Sequence, residues 1–161
     1  MPLANYTTEI AAEKTIIQIQ DLLREHGATQ ILLDVKGAET TGVSFIIATA
    51  KGNLPFRLPA EIEKVTQIMI GMRKNKPQTW QYDYKAVMQR ISEQARRTAW
   101  RTIYNWLVQQ LAMIEIDQVT LQQVFLPYLM VNSKNSLYEV MEHRGYLLGE
   151  GKTEDGEFHE T

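Results

Sequence analysis

Eight basic residues and six large aromatics share the stretch from Arg73 to Trp106, and this is where the chain has the means to do chemistry. The cations are Arg73, Lys74, Lys76, Lys85, Arg90, Arg96, Arg97 and Arg101, and the rings are Trp80, Tyr82, Tyr84, Trp100, Tyr104 and Trp106. Cations neutralise phosphates and aromatic faces stack on bases, a pairing that single-stranded nucleic acids and nucleotides require. Within a helix, at 100° per residue, Arg90, Gln94, Arg97 and Arg101 fall within about 60° of one another, opposite Met88, Ala95, Ala99 and Trp106. That arrangement predicts an exposed arginine ridge. The expected ligand-binding set is Arg73, Lys74, Lys76, Trp80, Tyr82, Tyr84, Arg90, Arg97 and Arg101. The same residues also have a purely structural explanation. A long amphipathic helix needs a solvated face, Arg73 and Lys74 complement a helix C-terminus, and Trp100 and Trp106 suit a core.

Other chemistry finds less support. Gly149-Glu150-Gly151-Lys152-Thr153 has the ending of a phosphate-binding loop, but the position that needs the first glycine holds Tyr146 and no helix can follow in the eight residues left. His143 beside Glu139 and Glu142, and His159 beside Asp155 and Glu157, lack the two-histidine helical spacing of a zincin. Ser44 sits in an apolar run without the second glycine of a nucleophile elbow. Glu61 with Glu63, and Glu9 with Glu13, are explained by helix starts. The expectation is a non-catalytic protein with no metal and no cofactor.

Composition sets the frame. The 161 residues are 44% hydrophobic and 22% charged, as in one ordinary globular domain. The absence of cysteine excludes disulfides, thiolate metal sites and a cysteine nucleophile. The segment Arg73–Arg101 carries eight basic against two acidic residues, a net of +6, which leaves −8 for the rest of a chain whose total is −2. The start, Met1-Pro2-Leu3-Ala4-Asn5, has no signal-like pattern, and no apolar run reaches the roughly 18 residues of a membrane span. The cytoplasm is the expected location.

The elements that must position these residues read as an α+β domain over residues 1–148 with a flexible acidic tail over 149–161. A helix is predicted over about 8–26, started at Thr7-Thr8 and ended by His26 and Gly27. Ile31–Val35 and Val43–Ala48 read as a hairpin across a turn at 36–42, and Leu54–Leu58 as a third, edge strand because Pro55 cannot donate to a ladder. A three-stranded antiparallel meander results. Pro59 suits the first position of a second helix, which runs to about Asn75. A polar, aromatic loop then leads to one long helix from Lys85 to about Ile116. Its length predicts a kink, a break or a contact between subunits. A short helix at Val119–Phe125, an extended piece at Leu126–Val131 and a helix at Ser136–Glu142 complete a mainly helical C-terminal half.

The chain resembles a group of small bacteriophage and prophage proteins to which no activity is attached. The resemblance lies in Asn5–Ile10, Ala12–Ile16, His26-Gly27-Ala28, Ala99-Trp100-Arg101, Gln110-Leu111-Ala112 and Val124–Tyr128. It implies an accessory protein of a virus or mobile element acting in the bacterial host cytosol and transfers no site residues. Two functions follow as expectations. One is a protein that binds a phosphate-bearing ligand, nucleic acid or nucleotide. The alternative is an antagonist of host defence that binds a host protein or sequesters a nucleotide signal in a homo-oligomer.

Overall fold

The computed structural model describes residues 3–74 and 84–146. The expected tail at 149–161, with its phosphate-loop-like ending and His159, lies outside the described residues, as do the loop residues Lys76, Trp80 and Tyr82 and the side chain of Lys74.

The first helix, α1, spans Ala12–Glu25 and begins four residues later than its sequence pattern predicts. The cause is tertiary. The Gln94 side-chain amide donates to the carbonyls of Tyr6 (3.0 Å) and Thr8 (2.9 Å), and the Thr98 hydroxyl donates to the Asn5 carbonyl (3.2 Å). Those acceptors would have served the first turn of a longer helix, so residues 5–8 form a turn instead. Thr8 still accepts from a backbone N–H, that of Ile10, but outside the helix. At the other end His26 is the C-cap and Gly27 takes φ +94°, where a side chain would be strained.

Three antiparallel strands follow in the order β1 (Ala28–Lys36), β2 (Glu39–Thr49) and β3 (Gly52–Pro59). The expected seven-residue turn is only Gly37-Ala38, because the Thr-rich stretch from Glu39 to Gly42 extends β2. Pro59 closes β3 rather than opening a helix. The backbone N–H of Ala60 bonds to Thr41 (2.8 Å), which keeps the chain in the sheet until α2 starts at Ile62 and runs to Lys74. Pro55 does lie on an edge strand, and Met130 covers that edge by donating to the Pro55 carbonyl (2.9 Å).

The inner face of the sheet packs Val43, Phe45, Phe56 and Leu58 against Ile16, Ile19 and Leu23 of α1. The long helix α3 (Tyr84–Glu115, 32 residues) adds Trp100, Leu107 and Leu111. Phe45, Phe56, Phe125 and Trp106 meet ring to ring with centroids 5.5 to 5.8 Å apart, within the range of favourable aromatic pairs. A second, smaller cluster joins Met69 of α2 to Ile91 and Ala95 of α3. The two clusters explain the length of α3, about 48 Å at 1.5 Å per residue, as a single rod shared by two packing centres of one chain.

The C-terminal half continues with α4 (Leu121–Phe125), a 3-10 turn at Leu126–Tyr128 and α5 (Leu137–His143). Reciprocal capping boxes start α4 at Thr120 and Gln123, and α5 at Ser136 and Glu139. The predicted extended piece at Leu126–Val131 is therefore helical for its first three residues, since Pro127 fits the first turn of a 3-10 helix. Among the described residues no helix is long and apolar enough to cross a membrane.

Candidate functional site

Two of the expected ligand-binding residues meet in a cleft. Arg73, in the last turn of α2, and Arg90, in the second turn of α3, line a cavity of about 520 Å³ with Tyr6, Met69, Met72, Ile91 and Gln94. Packing of Met69 on Ile91 joins the two helices and sets the floor. The N-terminal turn, pinned by Gln94, brings Tyr6 to the rim. Neither arginine has an ion-pair partner among the described residues. The cleft thus offers two guanidinium groups, one phenol and an apolar floor of methionine and isoleucine. Guanidinium presents planar paired donors matched to phosphate oxygens, while thioether and isoleucine surfaces accept a flat apolar body.

The arginine ridge does not form as expected. Arg97 is turned along its own helix to Glu93 (2.8 Å). Arg101 donates to Gln18 of α1 (3.0 Å) and lies over the Tyr104 ring at 4.5 Å. Gln94 is spent on the N-terminal turn. Helical phase correctly placed these side chains on one side of α3, but α1 and residues 5–8 dock on part of that side and convert it into a seam. Arg96 shares that seam, pairing with Glu13 of α1. The Glu13 carboxyl is held below its ordinary pKa by a backbone hydrogen bond and by the Arg96 guanidinium. Tyr84 stands exposed as the first residue of α3. Trp100 is fully buried and Trp106 half-buried in the aromatic core, so both do structural work.

A second cleft, of about 600 Å³, lies on the outer face of the sheet, and sequence reasoning missed it. There Asp34 of β1 accepts from Arg57 Nε of β3 (3.0 Å) and from the Ser44 hydroxyl of β2 (3.2 Å). A signal was present. Asp34 is the one charge in Ile31–Val35 and Arg57 the one charge in Leu54–Leu58, and a lone charge within an apolar strand needs a partner. Asp34 raises the Arg57 pKa by accepting its hydrogen bond, so this guanidinium is charged at any working pH.

His143 ends α5 exposed, and Glu139 beside it is used in the capping box. Among the described residues no group of three histidine, aspartate or glutamate side chains converges. Comparison with protein-family models, with curated proteins and with solved structures finds no match to this chain.

Proposed function

We propose that this protein binds a small phosphate-bearing ligand of the nucleotide class in the cleft between α2 and α3, without transforming it. The observation that supports this reading is the convergence of Arg73 and Arg90, from two helices, on one concave site without a neutralising carboxylate among the described residues. A volume of about 520 Å³ suits one nucleotide better than a strand. The Arg73 and Arg90 forks hold the phosphate, and Met69, Met72 and Tyr6 flank the base. Calorimetric titration with nucleoside monophosphates and the matching nucleosides tests this. Binding of the nucleotide alone is expected, weakened about tenfold or more by Arg73→Gln or Arg90→Gln. If single-stranded nucleic acid is the ligand instead, polarisation of a labelled oligonucleotide will show binding that falls steeply with salt.

A second reading is an oligomeric antagonist of host defence, in keeping with the phage resemblance. It draws on the contrast between the two sheet edges. Pro55 and Met130 protect β3, whereas Leu32, Leu33 and Val35 of β1 are exposed. A twofold axis normal to the sheet returns each face to itself, so a second copy of β1 can pair only residues of like parity. Centred on Leu33, such a pair sets Ile31 against Val35 and Gln30 against Lys36 and opposes no like charges.

A further inference from the structure

The outer cleft is built around one oriented guanidinium. Arg57 spends only its Nε on Asp34, and no bond from either Nη is found among the described residues. Asp34 is itself fixed by the Ser44 hydroxyl at 3.2 Å. Space for that carboxylate comes from Gly42, where a Cβ would stand 3.0 Å from Asp34 Oδ2 and 3.1 Å from the Leu58 carbonyl. Three strands thus cooperate to hold the terminal fork of Arg57 in a cavity of about 600 Å³. Two parallel N–H donors in that orientation match the two oxygens of a carboxylate.

The surrounding charges narrow the choice of anion. Two lysines line the cleft, Lys64 paired with Glu61 (3.2 Å) and Lys134, and with Arg57 they face the carboxylates of Asp34, Glu61, Glu139 and Glu142. Those carboxylates oppose a phosphate dianion more strongly than a monoanion. Along Pro59, Glu61 and Tyr128 the cleft borders a second cavity of about 370 Å³, whose walls include Leu58, Ile103 and Trp106. Trp106 and Tyr128 meet there with ring centroids 5.6 Å apart. An anion-binding fork thus adjoins an apolar, aromatic slot.

We infer that this second site takes a small carboxylate bearing a flat apolar ring, with the carboxylate on Arg57 and the ring against Trp106 and Tyr128. The site shares no residue with the α2–α3 cleft, so either can fail alone. The test is a titration of the whole chain with 3-phenylpropionate, 3-phenylpropionamide and propionate, followed by tryptophan fluorescence and by thermal shift. The acid is expected to bind saturably and at least about tenfold more tightly than its amide or the ringless acid. Arg57→Lys, which keeps the charge without the fork, is expected to weaken the acid several-fold and leave the amide unchanged. Asp34→Asn tests positioning: it should weaken the acid and leave the amide unchanged. Absence of saturable binding by the acid, or equal binding of acid and amide to the unaltered chain, overturns the inference whatever the variants do.

Discussion

At the scale of single residues, the seam between α1 and α3 buries polar atoms that no described residue satisfies. Thr15 Oγ1 and Trp100 Nε1 are fully buried without a hydrogen-bond partner among the described residues. A buried hydroxyl without a partner costs about 1 kcal/mol or more in desolvation, and valine has nearly the same shape. Thr15→Val should therefore raise the unfolding free energy by about 1 kcal/mol in urea denaturation. Trp100→Phe separates the indole N–H from the ring and should destabilise less than Trp100→Leu. The chemistry of the two clefts was unevenly legible at this scale. Arg73 and Arg90 stood out by type and charge density. Arg57 did not, because its importance comes from Asp34, 23 residues away in sequence. Ion pairing across a meander depends on register, which lone residues do not reveal.

At the scale of elements, α1 and α3 are clasped at one end by His26. Its Nε2 meets Glu115 at 2.7 Å and its Nδ1 meets the Leu22 carbonyl at 2.8 Å. Partial burial works against the charged ring, but the Leu22 carbonyl and the Glu115 carboxylate outweigh it and raise the pKa above the ordinary 6.5. A raised histidine pKa stabilises the fold fully below its unfolded value, and that contribution is lost as pH rises through the folded one. The melting temperature should thus fall as pH rises above the ordinary histidine value of 6.5, and Glu115→Gln should flatten that fall. Element type was readable where periodicity is long, as in α1, α2 and α3, and where β-branched runs alternate with glycine turns. The boundaries were not. Gln94 and Thr98 shorten α1 from outside it, and the bond from Ala60 to Thr41 claims Pro59 for β3. Both are long-range bonds that no local pattern encodes.

At the scale of the whole molecule, a chain near neutrality is arranged as a basic middle in an acidic frame. Part of that basic charge is neutralised internally, Arg96 by Glu13 and Arg97 by Glu93, and outside the segment Arg57 is paired with Asp34. The salt dependence of nonspecific polyanion binding should therefore be shallower than eight free cations would give, and Arg73→Gln with Arg90→Gln should reduce it further. The open β1 edge belongs to this scale as well. If copies pair there, light scattering will give twice the chain mass, and Val35→Lys, at a position 67% exposed, will restore the single-chain mass without lowering the melting temperature. A mass of one chain at all working concentrations contradicts that pairing.

The central claim, phosphate recognition between α2 and α3, is tested most directly by one calorimetric comparison. A nucleoside monophosphate and its nucleoside are titrated into the unaltered protein and into the Arg73→Gln/Arg90→Gln double variant, with folding of both checked by circular dichroism. Saturable binding of the monophosphate to the unaltered protein, none of the nucleoside, and loss of binding in the double variant are the expected result. Equal affinity of the two proteins for the monophosphate, or no binding by either, contradicts it.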